Sequence, residues 1–381
     1  MPARRASPQP DPGPPEVEAG GILTIDLSAI VANWRELARR SEPAECAAVV
    51  KADAYGCGVE PVVRALAAAG CKIFFVAHLA EGRSVRAIAH DSVIYALNGL
   101  MPQTADAYAA ANLRPVIGSP DELAEWQDFR LRSGWAGKAA LQVDTGINRL
   151  GLTPEQVSDL AARQALDQDA ISLVLSHFAC AELPGHPLNA KQMAEFRDVR
   201  ALLRKVPGSL ANSSGIFLGP DAHHDLVRPG AGLYGVNPTP GHLNLLRPVV
   251  RLDARIVQVR EVEEGDTVGY GATWTAKRAT RLAVVAAGYA DGFLRAASVS
   301  DFKPGAEAIV AGRRCPLAGR VSMDLLAIDI TDVPGETPRR GDSVGLLGEE
   351  IDVDELASHA GTIGYEVLTS LGRRYRRIYR G

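Results

Sequence analysis

The sequence predicts an α/β fold class, in which an N-terminal (β/α)8 barrel of the TIM type is followed by a mostly-β C-terminal domain. From about residue 46 to residue 235, short apolar runs alternate with helix-length segments in which apolar residues recur every three or four positions. After about residue 247, apolar and polar residues alternate instead, and turn-forming clusters such as EEGD and KPGAE follow at short intervals. We therefore expect the barrel within residues 21–247 and the β-rich domain within residues 248–381.

The barrel prediction rests on eight apolar runs that have the length and composition of buried parallel strands. An open doubly wound sheet would show a similar alternation, and the last two runs are the weakest strand predictions. The runs are CAAVVK (46–51), KIFFVA (72–77), SVIYAL (92–97), RPVIGS (114–119), AALQVD (139–144), ISLVLSHF (171–178), SLANSS (209–214) and DLVRPG (225–230).

Helix start signals support the alternation. Ser119 and Thr153 each precede a proline, and Glu122 and Gln156 follow three residues later, so each segment carries a capping box with proline at the first helical position. In the second domain, the segment DVDELASHAG predicts one helix among the strands. The first twenty residues are rich in proline and contain no apolar stretch, which predicts a disordered tail rather than a signal peptide.

Composition argues against several classes of function. The 381 residues are 46% hydrophobic and 23% charged, and 41 basic against 45 acidic residues leave no positive excess for nucleic acid. No apolar run reaches the 18 residues of a membrane span. Five scattered cysteines indicate reduced thiols and a cytoplasmic protein. His223, His224 and His242 have no ligand-type neighbours at metal-site spacing, so we expect them at the surface and expect no metal site.

Residues that do chemistry in a barrel stand at the C-terminal ends of its strands, where side chains from separate strands meet at one opening. The clusters ANSSG and RPGAG, at the ends of the last two strands, offer a hydroxyl and backbone N–H groups suited to a phosphate. A phosphate site together with a strand-end lysine is typical of enzymes that hold pyridoxal phosphate as a Schiff base. The strand-end residues predicted for this site are Lys51, Tyr55, Arg149, His177, Asn212, Ser213, Arg228 and Gly230.

Each of these residues also has an ordinary structural explanation. Lys51 fits a solvated lysine at a strand end, His177 fits a half-buried histidine, and Arg149 fits an ion-pair partner of Asp144. The combination of all of them at one end of a barrel favours the cofactor site.

Several motifs, taken in their order along the chain, resemble those of the alanine racemases, which are fold-type III pyridoxal-phosphate enzymes. The resemblance extends from about residue 21 to the C-terminus. No single motif identifies the family, and the resemblance is specific because all the motifs occur in the same order. The matching stretches are VVKADAYGCG, VDTGINRLG, SHFACAE, ANSSG, VRPGAGLYG, VGYGATWTA, AAGYADG and GRVSMD.

This resemblance implies a racemase that uses two bases. Lys51 would form the Schiff base and act as the base on one face of the substrate Cα, and Tyr270 of the partner subunit would act on the opposite face. The protein would then be a cytoplasmic homodimer with shared active sites. Its reaction would interconvert L-alanine and D-alanine and supply D-alanine for peptidoglycan.

The resemblance also implies roles for the remaining residues. Arg228 would face the pyridine nitrogen of the cofactor and leave it unprotonated, while His177 would bridge Arg228 and Tyr270. Arg149, helped by the backbone of Met323, would hold the phenolic oxygen of the cofactor and the substrate carboxylate. The implied phosphate ligands are Tyr55, Ser213, Gly230 and Ala231, and the residues implied along the route of substrate access are Tyr289 and Asp324.

Three positions depart from the family pattern, and one of them, Cys57 in the place of a common histidine, is given no chemical role. Gln142 stands where many members have a lysine that CO₂ converts to a carbamate, so we predict that activity does not depend on bicarbonate. The tyrosine that contacts the phosphate near the C-terminus of some relatives aligns with Arg373. We expect either Arg373 or the nearby Tyr375 to take that role.

Three other activities stay open at this stage. A broad-specificity racemase, or one for serine or basic amino acids, would share these residues, because pocket size decides the substrate. Trp274, beside Tyr270, favours a small side chain. A fold-related decarboxylase would place an acid, rather than Arg228, against the ring nitrogen. A non-catalytic carrier of pyridoxal phosphate would lack the second domain.

Overall fold

The structure is a computed structural model that describes residues 13–335 and 338–381. Its first regular elements are β1 (Gly21–Asp26) and α1 (Leu27–Ser41). Asp26 caps this helix, because its carboxylate accepts a hydrogen bond from the backbone N–H three residues later.

The segment before β1 is partly ordered, which corrects the predicted tail. Residues 13–20 form a turn in which the N–H of Ala19 donates to the carbonyl of Pro15 at 3.0 Å, and the Ala19 side chain is buried. Residues 1–12 of the predicted tail lie outside the described residues.

The barrel strands confirm the eight predicted runs, although most of them are shorter than expected. Their bounds are β2 (Glu45–Cys46), β3 (Ala48–Val49), β4 (Ile73–Val76), β5 (Val93–Ala96), β6 (Arg114–Ile117), β7 (Ala139–Gln142), β8 (Ile171–Leu175), β9 (Gly208–Ser209) and β10 (Leu226–Val227). The first run is broken at Ala47 into two short strands. β3 to β9 form one parallel sheet in chain order, and β10 pairs in parallel with β2.

Hydrogen bonds across β9 and β10 close this sheet into a barrel. The N–H of Arg228, just after β10, donates to the carbonyl of Ala211, just after β9, at 2.9 Å. Because β10 in turn bonds to β2, the alternative of an open doubly wound sheet is excluded. The carboxyl ends of all these strands therefore surround one opening.

Helices follow the strands on the outside of the barrel, except for one turn at its mouth. Their bounds are α2 (Lys51–Tyr55), α3 (Val59–Ala68), α4 (Leu79–Arg86), α5 (Ala105–Ala110), α6 (Pro120–Ser133), α7 (Pro154–Ala162) and α8 (Pro187–Leu202). α6 and α7 begin at the predicted caps, since Ser119 and Thr153 accept from the N–H groups of the third residues of these helices. α2 is a left-handed turn rather than an ordinary helix, because its last four residues have φ values of 53° to 54°.

The second domain is mostly β, as predicted. Its bounds are β11 (Val250–Val262), β12 (Thr280–Val285), β13 (Glu307–Val310), β14 (Arg313–Pro316), β15 (Leu326–Asp329), β16 (Ser343–Leu347), α9 (Val353–Ala360), α10 (Gly364–Ser370) and β17 (Arg376–Arg380). α9 is the predicted helix, whereas α10 was not predicted. β1 lies between β11 and β17 in this sheet, although it precedes the barrel in the chain. The division of the chain at residues 21 and 247 stays a prediction.

The two domains meet beside the left-handed turn of the barrel. Arg377 donates a hydrogen bond to the carbonyl of Gly56, the residue that follows α2. Gly56 has a φ of +79°, and a Cβ atom there would lie 2.4 Å from the carbonyl oxygen of Leu368 in α10. This close approach places α10 over the mouth of the barrel.

Candidate active site

A cavity of about 780 Å³ lies at the carboxyl ends of the barrel strands. Its walls contain every residue that the sequence places in the cofactor site, and α10 with the segment before it completes them. The predicted residues that line it are Lys51, Tyr55, Arg149, His177, Asn212, Ser213, Arg228, Gly230 and Ala231. The second domain contributes Thr362, Ile363, Tyr365, Glu366 and Thr369.

Lys51 is the first residue of α2 and is separated from the end of β3 only by Val50. Its side chain is partly buried, and burial together with the positive charge of Arg149 lowers the pKa of its amine, whereas Glu81 acts in the opposite direction. A lowered pKa increases the fraction of neutral amine, which is the form that attacks an aldehyde.

The left-handed turn brings Tyr55 back into the cavity. Tyr55 is buried, and its ring stacks on Tyr234 with the ring centroids 4.7 Å apart. Its hydroxyl lies against Gly230, where an added Cβ atom would be only 2.4 Å from the hydroxyl oxygen. Only glycine at position 230 leaves room for this phenol.

The two glycine-rich and serine-rich loops form a cradle suited to an anion. The Ser213 hydroxyl accepts hydrogen bonds from the N–H groups of Gly230 and Gly232 at 3.0 and 3.1 Å, which ties the two loops together. Among the described residues, no acceptor takes the N–H of Ser213 or Ala231. Asn212 shapes its loop by accepting from the N–H of Gly215 at 2.9 Å. Free N–H groups and a hydroxyl fit the phosphate of pyridoxal phosphate.

Arg228 supplies a buried positive charge at the floor of the cavity. Its Nη2 atom donates to the carbonyl of Ser176 at 2.6 Å, its Nη1 donates to Ser209, and its guanidinium lies over the Phe75 ring. In the described part of the chain no carboxylate pairs with it. Burial lowers the pKa of Arg228 to about 10, so it stays charged at neutral pH.

His177 lies beside Arg228, as the resemblance implied. Its Nδ1 atom is 3.5 Å from Nη2 of Arg228. Burial and the positive charges of Arg228, Arg149 and Lys51 lower the pKa of His177 to about 3, so the imidazole is neutral at physiological pH.

Arg149 is exposed at the rim of the cavity, on the loop after β7. Asp144, which the sequence offered as its ion-pair partner, instead accepts from three backbone N–H groups of the same loop, starting with Gly146 at 2.8 Å. The buried amide of Gln142 donates to the carbonyl of Leu150 at 2.9 Å and thereby fastens the loop next to Arg149.

Four predicted site residues lie in the second domain, outside this cavity. Tyr270 is 71% exposed at the tip of a loop that is closed by a hydrogen bond from Val268 to Trp274 at 3.0 Å. The other three lie together around the loop after β12 and the loop before β15, where backbone hydrogen bonds join them. They are Tyr289, Met323 and Asp324.

Neither residue expected to contact the phosphate from the C-terminal segment lines the cavity. Arg373 is exposed and is absent from the lining of the cavity, and Tyr375 is buried against the turn before β1. Tyr365, which the sequence analysis did not identify, lines the cavity with its ring centroid 6.2 Å from that of Tyr55. The sequence does contain a tyrosine near the expected position, because Tyr365 in GYEVLTS lies eight residues before Arg373.

His223 was also assigned wrongly. The sequence predicted a surface position, but the His223 side chain is buried and its Nε2 atom lies 2.9 Å from the carbonyl oxygen of Ile216. It therefore has a structural role within the barrel.

A barrel with a lysine of lowered pKa and an anion cradle at its mouth has the features of the enzymes that bind pyridoxal phosphate through a lysine. Comparisons with known proteins identify the family. Residues 25–238 match the family model described as alanine racemase, N-terminal domain, and residues 249–379 match alanine racemase, C-terminal domain.

Relatives support the same family over nearly the whole chain. An alanine racemase of Methylobacterium sp. (strain 4-46) is 53% identical over 360 residues, which cover 94% of this chain and 98% of the relative. A Mesorhizobium japonicum protein named alanine racemase, catabolic, is 48% identical and covers 96% of this chain and 95% of its own length. A crystal structure of alanine racemase from Bartonella henselae with covalently bound pyridoxal phosphate has a TM-score of 0.90 at 39% identity, with 95% of this chain and all of that chain covered.

The chain belongs to the alanine racemase family. It is an isomerase that interconverts L-alanine and D-alanine, with pyridoxal phosphate as its cofactor. The predictions of fold, reaction and cofactor are confirmed, and the decarboxylase and the carrier have no support. No helix in the described ranges is long and apolar enough to cross a bilayer.

Proposed function

We propose that racemisation is carried out by two bases from two subunits, with Lys51 on one face of the substrate Cα and Tyr270 of the partner subunit on the other. The observation that carries this proposal is the position of Tyr270. Its side chain is 71% exposed at a loop tip of the second domain and lies outside the cavity that holds Lys51. A phenol in that position is well placed to enter the cavity of a second molecule.

The tyrosines inside the cavity are poorer candidates for the second base. Burial raises the pKa of both Tyr55 and Tyr365 above the ordinary value. Tyr55 is also packed against Tyr234 and Gly230, which restricts the movement of its ring. Both phenols are therefore better suited to donating hydrogen bonds than to exchanging a proton with Cα.

The cavity residues hold and orient the cofactor. Pyridoxal phosphate, when bound, makes the Cα–H of an amino acid acidic by drawing charge into its ring. Lys51 binds the cofactor aldehyde and exchanges a proton with Cα, and Arg228 directs its charge at the ring nitrogen. The neutral imidazole of His177 accepts a hydrogen bond from Arg228 and positions Tyr270 of the partner subunit. The phosphate is held by Tyr55, Asn212, Ser213, Gly230 and Ala231, together with Tyr365.

The substrate carboxylate is held at the rim of the cavity. Arg149 lies there with an exposed guanidinium, free of the carboxylate of Asp144. Met323 of the partner subunit contributes backbone to this binding, and Tyr289 and Asp324 of the partner subunit line the route of substrate access. Met323 and Tyr289 are 52% and 42% exposed in one chain, and a second subunit would cover them.

This arrangement makes the active unit a homodimer, with the barrel in residues 21–247 and the β-rich domain in residues 248–381. The balanced charge and the scattered free cysteines favour a cytoplasmic protein. Its product, D-alanine, serves as a precursor of peptidoglycan.

Mixing two inactive variants tests whether each site is shared between subunits. Lys51→Ala lacks one base and Tyr270→Phe lacks the other, so a hybrid dimer contains one site with both bases intact. Random exchange of subunits then restores about a quarter of wild-type activity. The rate is followed by loss of the α-proton signal of L-alanine in D₂O and by chiral separation of the products.

Subunit exchange is checked separately with two affinity tags on the two variants. If tagged hybrids form and activity stays at the level of the single variants, both bases belong to one chain and the proposal is wrong. Lys51→Ala mixed with the double variant Lys51→Ala, Tyr270→Phe is the matched control, because no hybrid of these two chains contains a site with both bases.

A further inference from the structure

We propose that Glu81 is a positioning residue for Lys51, because its carboxylate holds the left-handed turn that presents the lysine to the cavity. The inference rests on the proposed role of Lys51 as the residue that binds the cofactor. It assigns to Glu81 a function in the reaction although its carboxylate does not line the cavity.

The turn after Lys51 requires support from outside itself. Ala52, Asp53, Ala54 and Tyr55 all have φ between 53° and 54°, and none of them is a glycine. Successive L-residues in this region are sterically unfavourable, since each Cβ atom lies too close to the following carbonyl. Contacts with neighbouring segments must therefore keep the turn in this conformation.

Glu81 provides the contact at the start of the turn. Its Oε1 atom accepts from the N–H of Ala52, the residue next to Lys51, at 2.7 Å. Its Oε2 atom accepts from the N–H groups of Ala77 and His78 at 2.7 and 3.1 Å. One carboxylate thus joins the loop after β3 to the loop after β4, and the N-terminal end of α4 favours its negative charge.

The end of the turn is held by a different element. Arg377 donates to the carbonyl of Gly56, and Asp53 accepts from the N–H of Val59 at 2.7 Å. Glu81 is accordingly the support closest to the lysine. Its charge also faces the amine of Lys51, together with the opposing charge of Arg149.

Glu122 offers a matched control elsewhere in the same barrel. It occupies the equivalent third position of α6 and is partly buried like Glu81. Its Oε2 atom accepts from the N–H of Gly118, and its Oε1 atom accepts from that of Leu100 at 3.2 Å. It therefore joins two neighbouring loops in the same way, but away from Lys51.

The experiment compares wild-type protein, Glu81→Gln and Glu122→Gln. Hydrogen exchange of the peptide that contains residues 51–56 is measured in the cofactor-free proteins. Steady-state rates with L-alanine are measured in the holoenzymes. We expect Glu81→Gln to speed exchange in this peptide and to lower kcat about tenfold with little change in KM, since a small displacement of a reacting group is costly. We expect Glu122→Gln to change neither quantity, at a similar loss in Tm.

A Glu81→Gln variant that matches Glu122→Gln in both exchange and kcat overturns the inference. If Glu81→Gln fails to fold, Glu81→Asp, which keeps the charge but shortens the side chain, is measured in the same way and must show the same local increase in exchange. Borohydride reduction of the wild-type holoenzyme, with mass mapping of the labelled lysine, tests the role of Lys51 separately. Failure of that role is therefore distinguishable from failure of this inference.

Discussion

The barrel cavity and the exposed loops of the second domain differ in how far a single chain completes them. In the cavity, the functional groups already have partners: Ser213 binds two backbone N–H groups, and Arg228 is buried against Ser176, Ser209 and Phe75. In the second domain, Tyr270 stands at a loop tip with its phenol in solvent. The first region is lined by groups that one chain already holds in place, whereas the second exposes a tyrosine that lies outside the barrel cavity.

This difference indicates a division of labour between the two domains. Cofactor binding needs buried, preorganised donors, which the strand ends of a barrel supply within one chain. A second base on the opposite face of the substrate needs only one correctly placed group. A loop from another subunit can supply it.

Replacement of Lys51 by alanine gives the largest expected effect. The variant should lose at least about a thousandfold in kcat, because in the proposed mechanism one amine both binds the cofactor covalently and exchanges the Cα proton. The cradle formed by Ser213 and Gly230 should still bind the phosphate without a covalent bond. Absorbance of the cofactor before and after dialysis, with chiral analysis of the product, checks both statements. A cofactor that stays covalently bound in the variant would contradict the assignment.

The titration of His177 makes the free energy of unfolding of the protein depend on pH. Its pKa is lowered from the ordinary 6.5 to about 3 in the folded protein, so the unfolded chain binds the additional proton between these values. The free energy of unfolding must therefore fall as the pH falls from 6.5 towards 3, by about 2 kcal/mol at pH 5 from this group alone. His177→Gln removes the titrating group and keeps a polar side chain.

Urea unfolding of the cofactor-free proteins at pH 7 and pH 5 measures this contribution. The wild type should lose about 2 kcal/mol more than His177→Gln between the two pH values. Equal losses in the two proteins would show that His177 titrates in the fold as it does in the unfolded chain.

Tyr365 belongs to the segment of the second domain that lines the cavity within the same chain, and its substitution tests whether that segment binds the cofactor. Tyr365→Phe should weaken cofactor binding about tenfold, since a hydrogen bond to a charged phosphate is lost. Tyr375→Phe is the matched control, because its buried hydroxyl has no partner among the described residues and lies away from the cavity. Arg373→Ala should also leave affinity unchanged. Titration of the apoproteins with cofactor, monitored by absorbance, measures the affinity of each variant. A lower affinity of Arg373→Ala would show that Arg373 contacts the phosphate, as its alignment predicts.

The sequence predicted those parts of the site that local patterns determine. The strands that end next to Lys51 and Arg228 could be located in the sequence, because buried strands have a recognisable apolar composition. The left-handed turn after Lys51 could not be predicted, since only Asp53 in ADAY is of a type enriched at positive φ and the turn depends on Glu81 and Arg377. Tyr365 was missed because its place in the cavity arises from packing of α10 on a turn that is remote in sequence.

β1 illustrates the same limit for the fold. Its alternating residues fit either sheet, and only pairing with β11 and β17 assigns it to the second domain. Such pairings depend on residues more than a hundred positions away. Local propensity carries no information about them.

The smallest expected effect concerns bicarbonate, and it tests how the rim of the cavity is held. Gln142 is buried and donates to the carbonyl of Leu150, next to Arg149, so the rim is fixed by an amide that cannot form a carbamate. Added bicarbonate at constant pH and ionic strength should therefore leave the wild-type rate unchanged.

Bicarbonate is expected to activate the Gln142→Lys variant, although it should have no effect on the wild type. A buried ammonium beside Arg149 is unfavourable, and reaction with CO₂ would convert it into an anion that attracts the guanidinium. The variant should be less active than the wild type in CO₂-depleted buffer and should recover as bicarbonate is added. Stimulation of the wild type by bicarbonate would show that some other group at the rim reacts with CO₂, and that the amide of Gln142 does not hold Arg149 by itself.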